Sequence, residues 1–292
     1  MRSRQYDVQT LFLQHGWSLP RHEGGFGEMT RLVLLAATLV LPGITTFAQT
    51  PDTTFLEELT WTEVRDAIQD GTTTVIIPTA GTEQKGPHMV LGEHRFVVNH
   101  AADLIARRLG KTLVAPVITH VPEGNLSPPS GHMRYAGTIT LPNDLFMKVV
   151  EYTARSLAVH GFTDIVLLGD SGGNQNGMQQ VSELLNAEWV SGPVRVHFVG
   201  DYYSNHGFRE WLKSQGETSE TIGGHAGISD TSQLLHVAPE HIRNDRRAPL
   251  GGFDGSGVSG DPTRASAERG RQGIDLKVNA AVRQIEALMA ER

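Results

Sequence analysis

Apolar positions along this chain repeat in two alternating rhythms. Val75-Ile76-Ile77 is a short β-branched run that reads as a buried strand, closed by Pro78. Before it, Leu56, Leu59, Val64 and Ile68 recur at helical spacing over 55–71, with Gly71 placed to end the helix. Thr60, followed at the third position by Glu63, offers a capping box and a later start at 60. A second helix is predicted over 96–109, with Val97, Ala101, Leu104, Ile105 and Leu109 on one face and Gly110 after it. Strands are predicted at 112–117, 138–141, 165–168 and 194–199; Ile165-Val166-Leu167-Leu168 is the most hydrophobic and suits the sheet centre. Helices are predicted over 143–160, with Phe146, Val149, Val150, Ala154 and Leu157 facing inward, and over 176–190. A glycine-rich segment, 223–232, turns helical up to His236, and a last amphipathic helix over 265–291 carries Ile274, Val278, Ala281, Val282, Ile285 and Leu288. Strands alternating with helices predict an α/β fold, three-layer α/β/α with a mostly parallel central sheet. No repeat and no linker divides 55–292, so one domain is expected from 49 to 292.

The amino terminus breaks this pattern. Met29-Thr30-Arg31 opens a short basic region, Leu32 to Leu41 is unbroken and apolar, and Thr46-Phe47-Ala48 supplies small residues for cleavage. That is a secretory signal over 29–48, too short for a membrane span. Residues 1–28 then read as an upstream over-extension, and the mature chain is expected in the periplasm or secreted.

Composition narrows the chemistry. The 292 residues are 39% hydrophobic and 20% charged, enough for a packed core. A formal charge of −7 with no basic stripe argues against nucleic acid, and nothing after the signal suits a membrane. There is no cysteine, so a metal here must be held by His, Asp or Glu.

Ionisable groups gather in three loops at element ends. The first, 83–94, holds Glu83, Lys85, His88, Glu93 and His94; the second, 170–174, holds Asp170, Ser171 and Asn174; the third, 225–230, holds His225 and Asp230. In a parallel sheet, loops at the carboxyl ends of strands converge. Glu, His and Asp from such loops suit Zn, Mn or Fe; a lone carboxylate in a glycine-rich loop is otherwise a cap or turn acceptor. Gly169-Asp170-Ser171-Gly172-Gly173 resembles the strings around serine nucleophiles, so a serine hydrolase using Ser171 is the alternative chemistry. The long Pro/Gly/Ser-rich loop 122–137 adds His132, with His120 and Glu123 beside it.

Four motifs stand in order over most of 55–290: the string from Gly81 to His94, Ser130-Gly131-His132 with Gly137-Thr138-Ile139, the string from Gly169 to Asn174, and His225-Ala226-Gly227-Ile228-Ser229-Asp230-Thr231-Ser232. Together they resemble the creatininase family of metal-dependent amidohydrolases. The resemblance implies a dinuclear metal site, a small-molecule substrate and a ring-like homo-oligomer, commonly a hexamer. This chain departs from the pattern where the family has metal ligands: Lys85, His94, Ser171 and Asp230 stand at those positions, while Glu83 is kept. A protonated Lys cannot ligate. The expectation is therefore one divalent metal per chain on Glu83, His94 and Asp170. Lys85 supplies positive charge in place of the second ion, or less simply is carbamylated. His225 or Asp230 carries the proton, and His88, His132, Ser171 and Asn174 contact substrate. The reaction implied is hydrolysis of a non-peptide, possibly cyclic, amide C–N bond by metal-activated water. A non-catalytic binding protein with a degenerate site is the rival reading.

Overall fold

The structure, a computed structural model, describes residues 51–252 and 255–291. The signal and over-extension expectations fall on 1–48, outside the described residues.

Helix α1 (Trp61–Gln69) begins at the capping box: the Thr60 hydroxyl accepts from the Glu63 amide, and the Glu63 carboxylate accepts from the Thr60 amide. The stretch before it, expected to be helical from 55, is a single 3-10 turn. Strand β1 (Thr74–Thr79) then enters the core and runs through Pro78 rather than stopping there. The last β1–β2 pair is Ile76 with Val114, so the N–H that proline lacks falls where that ladder has already ended. Helix α2 (Glu93–Leu109) starts three residues earlier than its apolar face suggests. Strand β2 (Thr112–Val114) is short, with Pro116 just beyond it.

The segment expected as a strand at 138–141 makes a single antiparallel bridge, Thr82 with Ile139, and belongs to the long loop over the site. Helix α3 (Asn143–Val159) follows Pro142, which sits at the cap position expected for Asn143 or Asp144. Strand β3 (Asp164–Gly169), helix α4 (Gln175–Glu188) and strand β4 (Arg195–Phe198) complete the sheet. Helices α5 (Phe208–Ser214), α6 (Ser219–Ile222), α7 (Ile228–Val237) and α8 (Ala267–Ala290) follow.

The strand order is β2-β1-β3-β4, and every pairing is parallel. Side-chain alternation sorts each central strand between two layers. Ile76, Val166 and Leu168 pack with Val97, Ala101 and Ile105 of α2 and Ile274, Val278 and Ile285 of α8. Val75, Ile77, Ile165 and Leu167 pack with Phe146, Val150 and Ala154 of α3 and Met178, Val181 and Leu185 of α4. The sheet thus lies between two helical layers, the three-layer α/β/α arrangement. Val149, expected inward on α3, is exposed with Leu145, Tyr152 and Val159.

One close approach ties the sheet to the site. Gly173, just past β3, lies so near the long loop that a Cβ there would meet the Pro122 carbonyl oxygen at 1.9 Å. Two backbones cannot part at that point without moving the loop. Leu167→Ala is expected to cost about 2–5 kcal/mol, the range for a large-to-small core change. Gly173→Ala is expected to destabilise the fold while emptying no core position. Urea unfolding of both variants checks this.

Candidate active site

The carboxyl edge of the sheet carries the cluster. The β1 end leads into the loop with Glu83 and Lys85, and the β3 end into Asp170 and Ser171. The first turn of α2 adds Glu93 and His94, and that of α7 adds Asp230. These side chains line one cavity of about 700 Å³ together with Glu123, His132, Tyr203, His206, His225 and Lys277.

Lys85 sits at the centre, 1% exposed. Its Nζ lies 3.0 Å from Asp230 Oδ2, 3.2 Å from Glu83 Oε1 and 3.3 Å from Glu93 Oε2. One N–H of the ammonium donates to Asp230, and the charges of Glu83 and Glu93 lie within ion-pair distance on the same nitrogen. Burial works against the charge, but Asp230, Glu93 and Glu83 hold the lysine pKa well above its ordinary value. The pairing acts back on the carboxylates. Burial alone would raise Glu83 and Asp230, yet Lys85 holds both well below the usual carboxylate range. Asp230 also accepts the Ala226 amide at 2.8 Å, so it anchors Lys85 and is too acidic to carry the proton expected of it.

His94 faces carboxylates through both ring nitrogens: Nε2 lies 2.9 Å from Glu83 Oε1, and Nδ1 lies 3.2 Å from Glu93 Oε2 and 3.4 Å from Asp170 Oδ2. Both contacts need an N–H, so the ring is an imidazolium. Burial and Lys85 oppose that charge, but Glu93, Asp170 and Glu83 push the pKa up to about 10. Asp170 also pairs with Lys277 of α8, whose Nζ lies 4.3 Å from the centre of the buried Tyr202 ring. Against its burial, Lys277 and His94 hold Asp170 low. Glu123 takes the opposite course. Burial, a hydrogen bond to Glu83 and the charge of that carboxylate push it up to about 9, so it is a carboxylic acid at neutral pH.

The remaining imidazoles are told apart by the Gln84 amide. Gln84 Oε1 accepts the Gly86 amide at 2.9 Å, which turns its NH2 toward Gly257 O and His132 Nδ1, the latter at 3.2 Å. His132 Nδ1 therefore accepts, and Nε2, which then carries the hydrogen, lies 3.3 Å from Glu83 Oε2. His225 has the other tautomer. Its Nε2–H donates to the Gln84 carbonyl at 2.7 Å, leaving the Nδ1 lone pair 3.8 Å from Glu83 Oε1. Burial and Lys85 push His225 down to about 4, so that lone pair is free at neutral pH.

Among the described residues, two groups of three side chains present possible metal-ligand atoms within 4.8 Å of one another: Glu83, His132 and His225, and Glu93, His94 and Asp170. Neither is the expected set. Glu83 and Asp170 approach His94 through opposite nitrogens, so the three do not converge on one ion. In the first group, His132 offers a proton instead of a lone pair. In the second, the imidazole has none free, and the carboxylates already pair with Lys85 and Lys277. Two unit charges 4 Å apart interact by about 4 kcal/mol at an effective dielectric of 20, and a divalent ion doubles that repulsion from each nearby ammonium. The donor chemistry of this arrangement does not suit a divalent metal.

Other expectations are corrected by position. His88 is fully buried away from the cavity and bonds Thr231 Oγ1 at 3.0 Å. Asn174 is also buried; its Nδ2 donates to Thr79 Oγ1 at 2.7 Å, joining the ends of β1 and β3. Neither can touch substrate. His132 and Ser171 do line the cavity. The Ser171 hydroxyl donates to Glu123 at 3.0 Å, not to a histidine, so it lacks the base a serine nucleophile requires. The sequence reading missed Lys277 and gave Glu93 and Glu123 no role. The signal for Lys277 was there: a lysine inside the apolar stripe of α8, between Ile274 and Val278.

The comparisons agree with this architecture. The family model for creatininase, described as creatinine amidohydrolase, matches residues 57–285. The mycofactocin precursor peptide peptidase of Mycobacterium tuberculosis (strain CDC 1551 / Oshkosh) is 30% identical over 247 residues, 74% of this chain and 86% of that protein. The 3-dehydro-scyllo-inosose hydrolase of Thermotoga maritima is 20% identical over 283 residues, 82% of this chain and 85% of that one. A crystal structure of creatinine amidohydrolase (creatininase) superposes with a TM-score of 0.67 at 21% identity, covering 82% of this chain and 98% of the other. A structure described as the Mn form of creatininase gives 0.66 at 22% identity, with the same coverage.

The site makes a pH prediction. A pKa raised on folding gives stability that is complete below the unfolded value, near 6.5 for His94, and is lost as pH rises through about 10. The melting temperature should fall over that window, and His94→Gln should flatten the fall; thermal melts of both proteins from pH 6 to 10 measure it. By its matching family model, its curated relatives and its fold, the chain belongs to the creatininase family.

Proposed function

We propose that this protein is a hydrolase of amide C–N bonds. One observation carries the reading: a neutral imidazole and a neutral carboxylic acid, His225 and Glu123, line one cavity, both beside the ionised Glu83. Neighbouring titratable groups pushed in opposite directions mark the base and the acid of a reaction.

The 3.8 Å between His225 Nδ1 and Glu83 Oε1 spans two acceptors that one water can bridge, giving a hydrogen to each. His225 takes a proton as the water oxygen attacks the amide carbon. Glu123 gives its proton to the nitrogen, the C–N bond breaks, and a carboxylic acid and an amine leave. Lys85 keeps Glu83, Glu93 and Asp230 in place throughout. No step is routed through a metal.

A small molecule with a non-peptide amide, cyclic or open, is the substrate class inferred from the family resemblance. The volume of the cavity favours a second reading. About 700 Å³ is near the upper part of the range for small-molecule sites and leaves room for several residues of a peptide. The 30% identical relative is described as a peptidase acting on a precursor peptide. Export after removal of residues 29–48 and self-association belong to the same proposal. The row Leu145, Val149, Tyr152 and Val159 along the outside of α3 supports the second of these.

The test is a hydrolysis screen of small cyclic and linear amides and short peptides, read by amine release. His225→Ala is expected to lower kcat/KM by about 100-fold or more, the usual scale of a general base. Ser171→Ala should stay within about tenfold, because that hydroxyl only orients Glu123. Ligand binding without amine release from any amide would replace the enzyme reading with that of a binding protein.

A further inference from the structure

We propose that the buried ammonium groups of Lys85 and Lys277 carry the positive charge of this site in place of metal ions, so that the folded protein holds no divalent metal. The inference rests on the hydrolase reading only for what the site does; its charge balance stands on geometry alone.

Lys85 has the surroundings of a coordinated cation. It is sealed from water, and Glu83, Glu93 and Asp230 come from three separate segments of the chain to meet one nitrogen at 3.0–3.3 Å. Those segments are the loop after β1, the first turn of α2 and the first turn of α7. A metal in such a position ties loops together, and the ammonium does the same. Its Nζ bonds Asp230, has Glu83 and Glu93 at ion-pair distance, and is buried behind them. Its task is to position the carboxylates.

Lys277 comes from the far end of the sequence and reaches the same cavity, 5% exposed. It bonds Asp170 and lies over the Tyr202 ring, contacts that use one N–H and one face of the ammonium. The donors left over are on a group that lines the cavity. Lys277 is therefore the cation placed to meet the carbonyl oxygen of an amide and the negative charge that grows there when water attacks. One lysine holds the framework and the other faces the substrate. A metal ion would do both at once.

Metal analysis of the purified full-length protein tests this without a substrate. After incubation with zinc or manganese and exhaustive dialysis, the wild type is expected to retain fewer than about 0.1 ions per chain, since a site that captures metal gains folding stability with it. Its melting temperature should not move with either metal or with a chelator. Lys277→Met and Lys85→Met strip the carboxylates of their partners. At least one of them should retain close to one zinc ion per chain and melt about 5 °C higher with zinc than without.

About one dialysis-resistant metal ion per wild-type chain, with a rise in melting temperature, overturns the proposal, and so does failure of every folded lysine variant to gain zinc. If both methionine variants fail to fold, the wild-type measurement decides alone. Amide hydrolysis that a chelator abolishes and zinc restores also overturns it while leaving the hydrolase reading intact. Absence of hydrolysis from a metal-free protein overturns the hydrolase reading and leaves this one standing.

Discussion

A single buried nitrogen organises the site. Lys85 Nζ has left water, and only the three carboxylates around it make that tolerable. The dependence is mutual, because Glu83, Glu93 and Asp230 are as costly to bury without a cation as the lysine is without them. Removing either side leaves an uncompensated buried charge. The loop after β1, the start of α2 and the start of α7 are therefore held in one relation by electrostatics, where their apolar contacts alone would allow several.

From that constraint the protonation states follow in sequence. With Lys85 and His94 drawing on Glu83, its carboxylate stays ionised, and its neighbour Glu123 keeps a proton. Burial, and after it repulsion from Lys85, keep His225 neutral with a lone pair toward the cavity. The backbone assists: the Gln84 carbonyl fixes one tautomer, and the Gln84 side chain fixes the opposite tautomer on His132. A neutral imidazole and a neutral carboxylic acid thus arise from placement alone.

The scaffold is well suited to hold such a cluster. A parallel sheet buried on both faces ends at one edge, and the loops leaving that edge are pinned by close backbone contact, as at Gly173 against Pro122. Asn174 joins the ends of β1 and β3 through Thr79. These contacts are structural, yet they decide how near Glu123 comes to Ser171 and Glu83. The sheet constrains where a side chain emerges and not what it bears.

The sequence alone determined the layers. Unbroken apolar runs located β1 and β3, and helical spacing located α2, α3, α4 and α8, because burial leaves a local trace. The ordered motifs also gathered Glu83, Lys85, His94, Asp170, His225 and Asp230 at one edge. It could not say which oxygen meets which nitrogen. Glu83 and Asp170 lie on opposite sides of the His94 ring, and that is a matter of rotamer and helix start that spacing does not encode. Glu123 keeps its proton because of burial and of a carboxylate forty positions away, and Lys277 reached Asp170 across 107. Charge balance in a buried cluster is a property of distances in space, so only the tertiary structure could decide it.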